Sequence, residues 1–242
     1  MIKNLLLPAL IIGVLTFWAQ SLRAQFSPLE TGAIDKPVVV ELFTSQSCSS
    51  CPPADKNLAA LSENPNVIAL GFHVTYWNHL HWKDTLSQKF ATDRQRAYAG
   101  YKRNGRVYTP QMIVNGSDEF VGSRSGDIQR SLSRAPEIKP IKLTYESSAQ
   151  IKAILPKLAK AHYTLWLAGT KDTHTQSIPS GENRGRTVTY KNAVIHYEKA
   201  GNWDGHPREI FIDLPVRNNA DNYVLLVQKD GYGPIVAAGK FL

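Results

Sequence analysis

A chain of 242 residues, 43% hydrophobic and 20% charged, is long enough for one large domain or two ordinary ones and too apolar to be disordered. The formal net charge is +8 and the pI near 9.4. The 28 Lys and Arg residues are spread without a basic run, which argues against nucleic-acid binding and leaves only diffuse attraction to anionic surfaces.

Residues 1–24 predict a secretory signal. Lys3 supplies the positive start, Leu5 to Trp18 the apolar stretch, and Leu22-Arg23-Ala24 a cleavage site. The apolar run is short and carries Pro8 and Gly13, which favours cleavage over the alternative of an uncleaved anchor. The folded part is therefore expected to be periplasmic or secreted, where disulfides persist, with no stable membrane insertion once the signal is removed. Residues 25–36 read as a polar leader.

Val38 to Phe43 is a β-branched, apolar block of buried-strand length. A polar linker, Thr44 to Ser47, leads to Cys48-Ser49-Ser50-Cys51, which holds the only two cysteines of the chain. Pro52 and Pro53 then open a helix through Leu61. Strand, loop, Cys-x-x-Cys, helix puts the first thiol at a helix N-terminus, where free N–H groups and the helix dipole favour the thiolate. Such a pair suits dithiol–disulfide exchange. A structural bridge would close only a tiny loop, and a structural zinc site wants four ligands where no second pair exists.

Asn64-Pro65-Asn66 marks a turn before a second buried strand, Val67 to Phe72, and strand–helix–strand at this spacing fits a right-handed parallel crossover. An aromatic connection, His73 to Asp84, precedes a helix over Leu86 to Tyr101. Met112 to Val114 is strand-like, Asn115-Gly116 is a hairpin turn, and Glu119 to Val121 returns. Ser125-Gly126-Asp127 caps a last helix through Leu132.

The order β-α-β-α-β-β-α, with Cys-x-x-Cys at the first helix and Thr109-Pro110 entering the third strand, resembles a thioredoxin fold. That resemblance implies a cis proline against the active-site sulfurs, leaving the backbone at Thr109 free to pair with a substrate strand. Glu41 to Asp55, Phe72 to Trp77, Trp82-Lys83-Asp84, Arg94 to Tyr98 and Tyr108-Thr109-Pro110-Gln111 are similar to motifs of a secreted bacterial thioredoxin-like family catalogued as a domain of unknown function. Gly181 to Thr187 matches that family's second-half motif. Thr75 and Asn78 depart from its pattern, where the resemblance leads one to expect acidic residues.

From about Pro136 the pattern becomes short strands separated by turns: 141–145, 150–154, 163–168, 188–194, 210–214, 223–227 and 235–241. These suggest an antiparallel β-sandwich domain over 137–242, appended to a thioredoxin-like α/β domain over 37–136.

Glu41, charged inside a buried strand, is a candidate to shuttle the proton of the resolving thiol, or it pairs with a basic neighbour. His73, with His79 and His81, could join Cys48 and Cys51 in a copper or zinc site. Arg184 and Arg186 could bind an anion or a carboxylate, though a solvated turn or an interdomain salt bridge fits them better. The leading expectation is an exported thiol–disulfide oxidoreductase acting on a protein or peptide partner. Cys48 attacks, Cys51 resolves, Thr109-Pro110 aligns the substrate and Glu41 moves the proton, with no bound cofactor required. The alternative is a non-catalytic binding protein, either a metal carrier or a partner-binding scaffold.

Overall fold

The first strand, β1 (Val38–Thr44), is apolar on both faces and buried along nearly its whole length, as a central strand covered from two sides must be. Its alternation separates two cores. Val40 and Leu42 pack with Ala54 and Leu58 of helix α1 (Pro52–Ser62) and with Ile128 of helix α3 (Ser125–Arg134). Val39 and Phe43 face the other way, toward Ala91 and Tyr98 of helix α2 (Lys89–Tyr101). Helices therefore cover both faces of β1, with α1 and α3 on one side and α2 on the other.

Strand β2 (Val67–His73) runs parallel to β1 in a register that sets Thr44 beside His73. On β1's other side lies β3 (Gln111–Val114), antiparallel, with β4 (Asp118–Val121) outside it. The β3–β4 turn is Asn115-Gly116, both at positive φ, as a tight hairpin requires. The Asn115 side chain also ties the turn to β1, accepting from Val39 N at 2.8 Å. The Thr109–Pro110 peptide is cis. Because Gln111 pairs with Phe43, Pro110 stands at the end of the sheet where β1 enters the cysteine loop.

The remaining strands are β5 (Lys139–Pro140), β6 (Lys142–Ser147), β7 (Gln150–Leu155), β8 (Tyr163–Ser177), β9 (Thr187–Trp203), β10 (Arg208–Asp213), β11 (Asn222–Lys229) and β12 (Ile235–Lys240). They do not form a separate pair of sheets. The nine-stranded sheet runs β4-β3-β1-β2-β9-β8-β11-β12-β5, joined across the middle where Gly71 of β2 pairs with Ala193 of β9. A three-stranded sheet, β10-β7-β6, packs its inner residues Leu143, Ile151, Ala153 and Ile212 against Leu165, Leu167, Leu225 and Val227 of the large one. The boundary expected at residue 136 falls between α3 and β5, and strands from both sides of it share the nine-stranded sheet. One apolar cluster, containing Phe43, Phe72, Tyr98, Ala168, Val194 and Leu226, spans the boundary.

Strands β8 and β9 hold 15 and 17 residues, far longer than their predicted pieces. The outer arm of β8, Lys171 to Ser177, is polar on both faces, so hydrophobic alternation does not betray it, while the returning arm of β9 carries Val188 and Tyr190 and falls in the strand expected at 188–194. Hydroxyl pairs hold those arms together, Thr175 with Thr189 and Ser177 with Thr187, each at 3.0 Å. The result is a hairpin that carries residues 178–186 well beyond the sheet.

The computed structural model describes residues 34–103, 105–215 and 219–241; the signal expected at 1–24 and most of the leader expected at 25–36 lie outside them. Among the described residues no helix is long and apolar enough to cross a membrane.

Candidate functional site

Cys48 and Cys51 are joined in a disulfide, with Cα atoms 5.4 Å apart. Cys51 is the N-cap residue of α1, and its carbonyl accepts from Ala54 N at 2.9 Å and Asp55 N at 3.1 Å. The thiol at the helix start is thus the second, not the first. Prolines 52 and 53 have no N–H, and the next two N–H groups are taken by Cys51 itself. The free helix N–H groups expected to favour a thiolate are therefore not on offer, and only the dipole remains. Cys48 is 2% exposed and Cys51 fully buried, while Ser49 and Ser50 between them face solvent. The Ser50 hydroxyl lies 3.3 Å from the Cys48 sulfur.

The tip of the β8–β9 hairpin grips this loop. Buried Asn183 donates through Nδ2 to the carbonyls of Gln46 and Cys48, both at 2.9 Å. Glu182 accepts from Ser49 N at 3.1 Å. The aromatic connection after β2 holds the loop from the other side. Ser47 Oγ donates to Trp82 O at 2.5 Å, and Trp82 Nε1 to Gln46 Oε1 at 2.8 Å. Asp84 accepts from Gln46 N and Leu86 N, both at 2.8 Å.

Glu41, expected as the proton shuttle, lies on the face of β1 turned away from α1. Its carboxylate accepts from Arg94 Nε at 2.6 Å and Tyr98 hydroxyl at 2.5 Å. It is half of a buried ion pair, so Glu41 pairs with a basic neighbour instead of serving the thiols. The reason is parity: Glu41 alternates with Val40 and Leu42, so it cannot share their helix.

The carboxyl group on the disulfide's own side is Asp55, which sequence reading passed over. It sits one turn after Cys51 in α1, 6% exposed, and accepts from Thr44 Oγ1 at 2.8 Å. Burial pushes it up to about 7, against the pull of His73 and the Thr44 hydrogen bond. His73, beside Thr44 in the register, donates Nδ1–H to Asp84 Oδ2 at 2.8 Å. Burial opposes the imidazolium, yet Asp84 and then Asp55 outweigh it and raise its pKa. Burial likewise works against the Asp84 anion, but His73 and the two backbone donors hold that carboxyl below its usual range. Tyr190 of β9 closes the cluster edge-on to His73, with ring centres 4.8 Å apart.

The metal-site expectation fares differently. His73 is committed to Asp84, His79 Nδ1 bonds Tyr76 O at 2.7 Å, and His81 is exposed at a separate cavity with Glu182 and Arg184. Among the described residues no three His, Cys, Asp or Glu side chains are grouped to hold a metal. Thr109 accepts from Trp77 Nε1 at 2.8 Å, which pins the segment before Pro110. Arg184 and Arg186 stand on the exposed hairpin tip, facing different clefts.

The fold and site define a protein with a buried Cys-x-x-Cys disulfide at the end of a central strand, clasped by a hairpin from the second half. The chain belongs to the family described as protein of unknown function (DUF1223), whose model matches residues 39–228. The X-ray structure of AGR_C_4864 from Agrobacterium tumefaciens is similar at 27% identity and a TM-score of 0.70, over 85% of this chain and 93% of that one. HBP35 of Porphyromonas gingivalis is similar in fold alone, at 15% identity and a TM-score of 0.54, over 85% of this chain and 74% of that one. No curated protein matches.

Proposed function

We propose that this is an exported thiol–disulfide oxidoreductase whose first half is a thioredoxin-like unit acting on a cysteine-containing protein or peptide. The carrying observation is the Cys48–Cys51 disulfide, closed by the chain's only two cysteines at the start of α1. The element order β1-α1-β2-α2-β3-β4-α3 and the strand order β4-β3-β1-β2 support the fold assignment. In the reduced protein Cys48, the outer sulfur, attacks the partner and Cys51 resolves the mixed disulfide. The backbone at Thr109-Pro110, at the same end of the sheet, aligns the partner's chain.

Cys51→Ser in the exported full chain tests this reading. It should accumulate a mixed disulfide through Cys48 with one or a few exported proteins, released by reductant. Capture of nothing, or of the same proteins by a Cys48→Ser control, would sink it.

One observation favours a second reading, that of a partner-binding scaffold: both sulfurs are buried under the hairpin tip. On that reading the disulfide only shapes the loop, and a double Cys48→Ser, Cys51→Ser variant would keep the protein's cellular role intact.

A further inference from the structure

The nine-stranded sheet forks where the two halves of the chain meet. Among the described residues β2 pairs with β9 at one position, Gly71 with Ala193, so the two strands part toward the start of β2. Between the pairs Lys171–Ala193 and Thr173–Lys191 of the β8–β9 ladder, Asp172 and Asn192 stand opposite each other. Asn192 holds a left-handed φ of 49° there, a kink of the backbone that Asn tolerates. The fork leaves a cleft of about 220 Å³, with both residues in its wall. At roughly 30 Å³ per water that is room for about seven, enough for a small polar molecule and too little for a folded peptide segment.

Two opposite charges line this cleft without meeting. Lys240, at the end of β12, donates one ammonium hydrogen to Val67 O at 2.9 Å, and an ammonium has three. Burial pulls its pKa down, which a carboxylate beside it would reverse. Asp172 is exposed, and its two oxygens accept from Asn222 Nδ2 at 2.9 and 3.0 Å. Its neighbours Lys171 and Asp221 neutralise each other at 2.8 Å. Neither Lys240 nor Asp172 is held in an ion pair among the described residues. Phe241 lines the cleft beside Lys240 and carries the Tyr145 ring stacked on it, with centres 4.0 Å apart. Burial, then Tyr223 and Asp172, push the Tyr145 phenol up, so the carboxylate lies close to that aromatic pair. A carboxylate beside aromatic rings suits an ammonium group, and a half-buried lysine suits a carboxylate. Ile68 and Val224 give the cleft an apolar side.

We propose that this cleft binds a free α-amino acid. The ligand's carboxylate meets Lys240, its ammonium meets Asp172 beside the Tyr145–Phe241 pair, and a short apolar side chain rests against Ile68 and Val224. A lone anion would match Lys240 but face the unpaired Asp172, and a lone amine would face Lys240. A zwitterion satisfies both, and the small volume restricts it to amino-acid size. No residue of the cysteine loop or the hairpin tip lines this cleft, so the proposal stands apart from the exchange reading.

Equilibrium dialysis of the full chain against labelled glycine, L-alanine, L-valine and L-leucine, up to millimolar concentration, tests it. At least one should bind, to one equivalent. For the tightest of them, the analogue without the amine and the analogue without the carboxylate should each compete at least about 10-fold more weakly. For leucine these are 4-methylpentanoate and 3-methylbutylamine. Asp172→Asn and Lys240→Gln should each weaken binding by about 10-fold or more. Where a variant does not fold, the analogue series on the wild-type chain decides. Binding of none of the amino acids overturns the proposal. So does an analogue that competes as well as its parent, which marks a site for one charge alone, and so does binding that either folded variant leaves intact.

Discussion

Asp55 is an expensive residue to bury, and the cost has a pH signature. Its folded pKa of about 7 lies above its unfolded 3.8, so between those values the native chain holds more protons than the unfolded one. Stability then falls as pH rises through that window, and the full cost, on the order of 4 kcal/mol, is present above about pH 7. His73 acts in the same direction: its raised pKa gives stability below 6.5 that is lost as pH climbs through the folded value. Asp84, held low, contributes above 3.8 and fails only as pH falls through its folded value. Urea titrations should therefore find wild type most stable near pH 4 and losing stability from there to about pH 7; stability that rose from pH 6 to pH 8 would contradict the cluster. Asp55→Asn keeps an acceptor for Thr44 and should gain about 2 kcal/mol at pH 8 but little at pH 4.5. The Cys-x-x-Cys motif was plain in the sequence, whereas Asp55 stood there only as the last residue of the Glu41–Asp55 motif, with no role of its own. Parity along Val38 to Thr44 contained the signal that excluded Glu41 and pointed Thr44 at α1, but only once the helix's side of the strand was known.

The β8–β9 hairpin makes the disulfide site a product of both halves of the chain. Its Asn183 donates to two backbone carbonyls of the cysteine loop, Gln46 O and Cys48 O, the latter shared with Cys51 N. Asn183→Ala takes the donor from Gln46 O, while Cys48 O keeps Cys51 N at 3.2 Å, a loss of about 2 kcal/mol in holding the tip down. Reduction of the disulfide by dithiothreitol should accelerate about 10- to 30-fold if the tip must lift before a thiolate can enter. A rate equal to wild type would mean that the tip does not guard the sulfurs. Gly181 to Thr187 was legible as a motif, and α1, α2, α3 and β1 to β4 fall close to their predicted places. The hairpin's first arm was not legible, because Lys171 to Ser177 is polar throughout and held by pairing rather than by an apolar face, whereas its returning arm fell in the strand expected at 188–194.

At the scale of the whole molecule one buried cation ties the two halves together. Arg94 of α2 binds Glu41 of β1, the Tyr197 hydroxyl of β9 and, at 3.2 Å, Gln228 Oε1 of β11. Its guanidinium also lies over the rings of Phe72, Tyr98, Tyr197 and Tyr232, 4.8 to 6.0 Å from their centres. Burial opposes its charge, but Glu41 and the surrounding hydroxyls more than restore it. Arg94 to Tyr98 stood out in the sequence, yet its partners lie 53, 103 and 134 residues away, beyond any local pattern. Arg94→Met strands Glu41 without a counter-charge and should cost about 3–5 kcal/mol. Because the nine-stranded sheet crosses residue 136, that loss should lower one shared unfolding transition. Fluorescence, from tryptophans in both halves, and alkylation of Cys48 and Cys51 under reducing conditions should report the same midpoint. Two separated midpoints would show independent domains instead. Adding Glu41→Leu removes the stranded charge, so the double variant should recover most of the loss, and the shortfall measures what the guanidinium contributes through the rings and Gln228.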